Sequence, residues 1–138
     1  MSDFFAALRA RILADPDVAA LVGTRVYPVI VPQDAISPYV RMQVISDPRP
    51  MHLKGYQAMR QSRVQVDCMA RQADGTGGHA KSRAVALAII AAMDGPADVD
   101  GVRFGLTEAQ GPFDEGEDTA KGFFHRARMD LLVAHRVI

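Results

Sequence analysis

The sequence predicts an α+β fold: a mainly antiparallel sheet with helices packed on one face and a long C-terminal hairpin. Three observations carry the fold class. Apolar residues recur at helical spacing in two segments near the N-terminus and again beyond residue 79. Later stretches alternate apolar and polar residues with a period of two. The order reads helix, helix, strand, strand, strand, helix, strand, strand, which places helices against a sheet built largely of neighbouring antiparallel strands.

Ser2 or Asp3 is placed to cap a first helix whose Phe4, Phe5, Leu8, Ile12 and Leu13 recur on one face, with Arg9 and Arg11 outward. Asp15 and Pro16 open a short second helix, Asp15 as cap and Pro16 at the first helical position. Val18, Leu21 and Val22 lead it to a stop at Gly23. Residues 25–31 are rich in β-branched side chains, but Pro28 and Pro32 remove ladder donors and restrict the segment to an edge strand or an extended connector.

Residues 38–46 set Val40, Met42 and Val44 against Tyr39, Arg41 and Gln43, and residues 62–70 turn Val64, Val66 and Cys68 inward. Both read as central strands. Between them, residues 47–61 hold Pro48, Pro50, Gly55 and the apolar group Met51, Leu53, Tyr56 and Met59. A connection of that length inside a domain is usually functional or disordered. Its Met and Tyr content suits a partner contact, with a mobile hairpin tip as the alternative. Residues 74–78 read as loop and 79–93 as a long helix carrying Val85, Leu87, Ile89, Ile90 and Met93, ended by Asp94, Gly95 and Pro96. A strand from 102 to about 110, an acidic turn at Asp114, Glu115, Gly116, Glu117 and Asp118, and a final strand complete the chain.

That final segment alternates for longer than a domain of this size accommodates. Ala127, Met129, Leu131 and Val133 fall on one side; Arg126, Arg128, Asp130, Ala134 and Arg136 fall on the other, and Leu132 alone breaks the polar side. A strand of about 14 residues at roughly 3.3 Å each runs to about 45 Å, against a diameter under about 40 Å for a compact chain of this length. The strand must curl or lengthen the sheet. Paired with residues 102–110, it reads as a hairpin that projects from the core toward a neighbouring copy or partner.

The 138 residues are expected to form one domain, 1–138, long enough to bury a core without metal or disulfide staples. Apolar residues make up 49% and charged residues 23%, which excludes a disordered or fibrous chain. Sixteen basic and sixteen acidic side chains cancel, so no global field draws the protein onto nucleic acid or an anionic membrane. Cys68, the single cysteine, reads as a small core residue and cannot form an internal disulfide. No basic-then-apolar leader opens the chain and no window approaches about 18 uninterrupted apolar residues, so a soluble protein made in the cytoplasm is expected.

The segments that look chemical are each incomplete. Residues 75–82, Gly-Thr-Gly-Gly-His-Ala-Lys-Ser, follow a strand and open a helix as a phosphate-binding loop does, but Ala80 stands where the second glycine is required. No nucleotide cofactor is expected. His52, His79, His125 and His135 lack metal-ligand spacing, and His125 and His135 stand about 33 Å apart on a straight strand. The acidic run lacks the alternating oxygen ligands and distal glutamate of a calcium loop, so no metal is expected and a solvated turn is the simpler reading. No serine or cysteine has a histidine and an acid nearby in sequence, and no catalytic residue is assigned.

Several local stretches, in this order and spacing, resemble the tail terminator, or tail-completion, proteins of long-tailed bacteriophages and gene transfer agents. They are Leu21-Val22-Gly23-Thr24-Arg25-Val26-Tyr27-Pro28, Pro38-Tyr39-Val40, Arg63-Val64-Gln65-Val66-Asp67-Cys68, and Phe113-Asp114-Glu115 leading to Phe124-His125-Arg126 and Asp130. The resemblance spans nearly the whole chain and departs at the glycine-rich residues 75–78. It implies a non-enzymatic virion protein that forms a ring, a hexamer, at the head-proximal end of the tail tube. Its partners would be other copies of itself, the tail tube protein and the head–tail connector or stopper protein, with DNA passing through the bore without sequence-specific binding and no membrane contact. It would act in the virion tail at the head–tail junction after synthesis in the bacterial host cytoplasm. A cyclic head-to-tail assembly needs two different patches per subunit. Met51, Leu53, Tyr56 and Met59 would contact the tube or a neighbour; Asp114, Glu115, Glu117 and Asp118 would face the lumen or a rim. The competing expectation is a small α+β enzyme or ligand-binding domain with a site assembled from Tyr39, Asp67 and His125.

Overall fold

The computed structural model describes residues 3–56, 58–72 and 77–138, with backbone only at residues 52 and 56. Helix α1 (Phe4–Ala14) starts where the Asp3 carboxylate accepts a hydrogen bond from the Phe5 N–H at 3.0 Å; Ser2 lies outside the described residues. Helix α2 (Pro16–Val22) is opened by the Asp15 carboxylate, which accepts from the Asp17 and Val18 N–H groups. Both caps follow the sequence pattern. Arg11 does not. It is buried, donates to the Asp94 and Gly95 carbonyl oxygens and lies 5.4 Å from the centre of the Phe104 ring. Burial pushes its pKa down from the ordinary value, while Asp94 opposes the shift. This arginine joins α1 to the turn after the last helix instead of facing water.

Strands β1 (Val26–Pro28), β2 (Tyr39–Ser46), β3 (Met51–His52), β4 (Gly55–Tyr56) and β5 (Arg60–Arg71) precede helix α3 (Gly78–Ala92); β6 (Ala97–Val99), β7 (Val102–Thr119) and β8 (Gly122–Val137) follow it. The main sheet has the order β1-β2-β5-β8-β7-β6, with β1 and β2 parallel and its other described neighbours antiparallel; β3 and β4 form a separate hairpin. The proline-bearing β1 occupies an edge, as its missing donor requires. The 47–61 connection thus holds a short hairpin, and β6 adds a strand absent from the sequence reading.

The core lies between the helices and one sheet face. Leu8 and Ile12 of α1, Val18 and Val22 of α2, and Val85 and Ile89 of α3 meet Val40, Met42, Val64, Val66, Cys68, Met129, Leu131 and Val133 of the sheet. Burial raises the Cys68 thiol pKa, consistent with a core position and no reactive thiolate. In α3 the buried stripe runs through Ser82, Val85, Ala86 and Ile89, so Leu87, two positions from Val85 and Ile89, faces outward at 52% exposure.

The hairpin differs most from its sequence reading. Residues 114–118 form no turn: they continue β7, paired with residues 123–127 of β8, and the chain reverses at residues 120–121. Nor does the ribbon project freely, because β8 also pairs with β5 from Phe124 to His135. Its length is accommodated by a curled sheet, with register shifts in the β7–β8 ladder between Phe104 and Thr107 and between Gln110 and Phe113.

Candidate functional site

The strand registers give the sheet two unlike ends. At one, β2 and β8 begin, β5 and β7 finish, and the 29–38 connector meets the β7–β8 turn. Val29, Ile30 and Ile36 of this connector are 52%, 80% and 67% exposed. It borders a cleft of about 340 Å³ whose walls include Val29, Ile30, Tyr39, Arg41, Glu117 and Phe124. Burial pushes the Tyr39 phenol pKa up, and Glu117 adds to the rise.

The other end carries the 47–59 arm. Met51, Leu53 and Met59 are exposed, Leu53 completely, with Ile45 exposed beside them in sequence; the side chain of Tyr56 lies outside the described set. The neck of the arm is closed by charge. Asp47 Oδ1 accepts from Arg60 Nε at 2.8 Å and from the Ser62 hydroxyl at 2.7 Å, and the same hydroxyl lies 2.8 Å from His135 Nε2. Burial raises the Asp47 pKa, but the Arg60 and Ser62 hydrogen bonds outweigh it and leave a net lowering. His135 is buried and stacked on Phe4 with ring centres 3.8 Å apart; burial and then Arg60 push its pKa down to about 4.

This network resembles a hydrolytic triad in composition only. The serine stands between the histidine and the acid instead of at the end of the relay, and Ser62 and His135 are both buried. The arrangement holds the arm. Its signal was present in the sequence: Ser62 and His135 occupy inward positions of strands whose central inward residues, Val64, Val66, Met129, Leu131 and Val133, are apolar.

The sheet face opposite the helices is a field of ion pairs. Arg41 donates to Asp67 at 2.6 Å, Arg63 to Asp130 at 2.9 Å, and Arg126 and Arg128 stand 3.5 Å from Glu115. The acidic run alternates between faces by its register: Glu115 and Glu117 share this face with Arg126, whereas Asp114 turns to α3 and pairs with His79 and Arg83. Those two partners hold the Asp114 carboxyl below its ordinary pKa, His79 contributing most. The sequence-derived enzyme site is not assembled. Tyr39 and Asp67 belong to the open face, while His125 belongs to the helix-covered face, 2.6 Å from the Gln72 side-chain oxygen. Among the described residues no group of three or more His, Cys, Asp or Glu side chains is placed to hold a metal, and no helix is long and apolar enough to cross a membrane. Of the glycine-rich segment, residues 75 and 76 lie outside the described residues; Gly77 caps α3 with φ of 76°.

The sequence matches the family of the tail completion protein gp17 over residues 6–130. The chain belongs to this family. As a tail completion protein it is a structural component of the virion tail at the head–tail junction and not an enzyme. A chain in the solved virion of a native gene transfer agent particle has the same fold, with 24% identity, 97% of this chain and 93% of that one covered, and a TM-score of 0.63. No curated protein matches the sequence at a significant level.

Proposed function

We propose that this tail completion protein assembles as a six-membered ring on the head-proximal end of the tail tube. The ring terminates the tube, joins it to the head connector or stopper, and leaves a bore for DNA. The supporting observation is the pair of unlike apolar patches at opposite strand ends, Val29, Ile30 and Ile36 at one and Met51, Leu53 and Met59 at the other. Head-to-tail cyclic contacts need two different surfaces on each subunit, whereas a two-fold contact needs one. The arm with Met51, Leu53, Tyr56 and Met59 contacts the tube or the next subunit. Asp114, Glu115, Glu117 and Asp118 run along a rim, where Arg83, Arg126 and Arg128 already offset part of their charge. Six copies and a DNA-bearing bore follow the family resemblance.

The test is Met51→Asp combined with Leu53→Asp, both exposed and outside the core. The variant should keep the wild-type melting temperature yet lose ring formation in native mass spectrometry with tail tubes, and lose head joining by electron microscopy. Unchanged rings and unchanged joining would remove the arm from the interface.

A further inference from the structure

We infer that the cleft beside the β7–β8 turn is a contact site for the phosphate backbone of duplex DNA. The cleft, about 370 Å³, gathers Arg71 from the end of β5, Lys81 from the first turn of α3 and Lys121 from the hairpin turn, with Ile36, Ser37 and Phe124 among its other walls. Among the described residues no carboxylate lines it.

The three cations differ from most others in the molecule. Arg41, Arg63, Arg83, Arg126 and Arg128 each meet an acid of the same chain, and Arg9, Arg11 and Arg25 donate to backbone carbonyls. Among the described residues Arg71, Lys81 and Lys121 form neither ion pairs nor side-chain hydrogen bonds. Their convergence is a product of tertiary structure, since they lie on three elements separated by 10 and 40 positions in the sequence. The overall charge of zero therefore conceals a local site with unpaired positive charge.

A cluster of arginine and lysine with no carboxylate on its described walls selects a dense polyanion. Phosphodiesters fit because Arg and Lys contact their oxygens without reading bases. A carboxylate-rich segment of a second copy fits less well, because Asp114, Glu115 and Glu117 are already paired within the subunit. The choice of DNA rests on the proposed passage of DNA through the assembly.

Fluorescence anisotropy with a labelled duplex of about 20 base pairs, titrated from about 20 to 200 mM salt, tests the inference. Three phosphate contacts give a slope of log K against log salt near −2.7, at about −0.9 per phosphate. Arg71→Gln with Lys81→Gln and Lys121→Gln should weaken binding at least about tenfold at the lowest salt and bring the slope toward zero. Arg71→Lys with Lys121→Arg, which keeps every charge, should bind like wild type. Wild-type binding by the triple glutamine variant at an unchanged melting temperature would overturn the site. Equal or tighter binding of a polyglutamate peptide would also overturn it, as a protein-docking patch. Light scattering on the same samples separates this from the ring: loss of the ring with charge-dependent DNA binding retained sinks only the ring, whereas an intact ring with charge-independent binding sinks only the cleft.

Discussion

Strands β7 and β8 are the two arms of one hairpin, 18 and 16 residues long, yet they live in different environments. Along β8, Ala127, Met129, Leu131, Val133 and His135 are all buried, whereas along β7 burial ends at Phe104. Beyond that point β7 has β8 on one side and no strand of the described sheet on the other. Length and pairing are thus shared, while position in the sheet decides burial. The central arm builds the core; the edge arm keeps its surface for other uses and discourages stray pairing with Pro112, register shifts and charge.

The largest expected effect breaks the central arm. Leu131→Ala should cost about 2–5 kcal/mol in urea unfolding, because it opens a cavity at a fully buried site. Leu106→Ala on the edge arm, at 73% exposure, should stay within about 0.5 kcal/mol. Equal costs would abolish the distinction between the arms.

Acid comes next and acts through the buried end of β8. The folded-state pKa of His135 lies near 4, below the ordinary value of 6.5, so the unfolded chain binds more protons between these limits. Stability should therefore be full above about pH 6.5 and fall by about 3 kcal/mol as pH drops to about 4, at roughly 1.4 kcal/mol per pH unit. Unfolding free energies measured across this window should show a smaller slope for His135→Gln. An unchanged slope would assign the acid sensitivity elsewhere.

A smaller effect separates the ion pairs on the open face. The Asp67 side chain is 2% exposed and its partner Arg41 37%, so Arg41→Ala leaves a buried carboxylate without its main partner and should cost about 2 kcal/mol by thermal or urea unfolding. Glu117→Gln on the edge arm, whose partner stands at 3.5 Å, should cost under about 0.5 kcal/mol in the same measurement. A comparable loss from both would mean that the edge network is as structural as the central one.

Much of the fold was legible because its signals are local. Asp3, Asp15 and Pro16 marked helix starts through hydrogen bonds and a backbone angle spanning a few residues, and the alternation of 62–70 and 122–137 marked the inward faces of β5 and β8. Arg11 and the acidic run were misread for the converse reason. A carbonyl pair 83 and 84 residues away makes burial of Arg11 tolerable, and the ladder to β8 extends residues 114–118 where composition favours a turn.

The sequence by itself determined that helices cover a largely antiparallel sheet, which strand faces turn inward, and that the chain resembles tail-completion proteins. Periodicity, caps and local motifs act over distances the chain specifies directly. Only the tertiary structure decided that the closing strand is central instead of projecting, that His125 stands apart from Tyr39 and Asp67, and that Arg71, Lys81 and Lys121 share a cleft. These outcomes depend on register and strand order, which bring distant residues together, and no local pattern encodes that convergence.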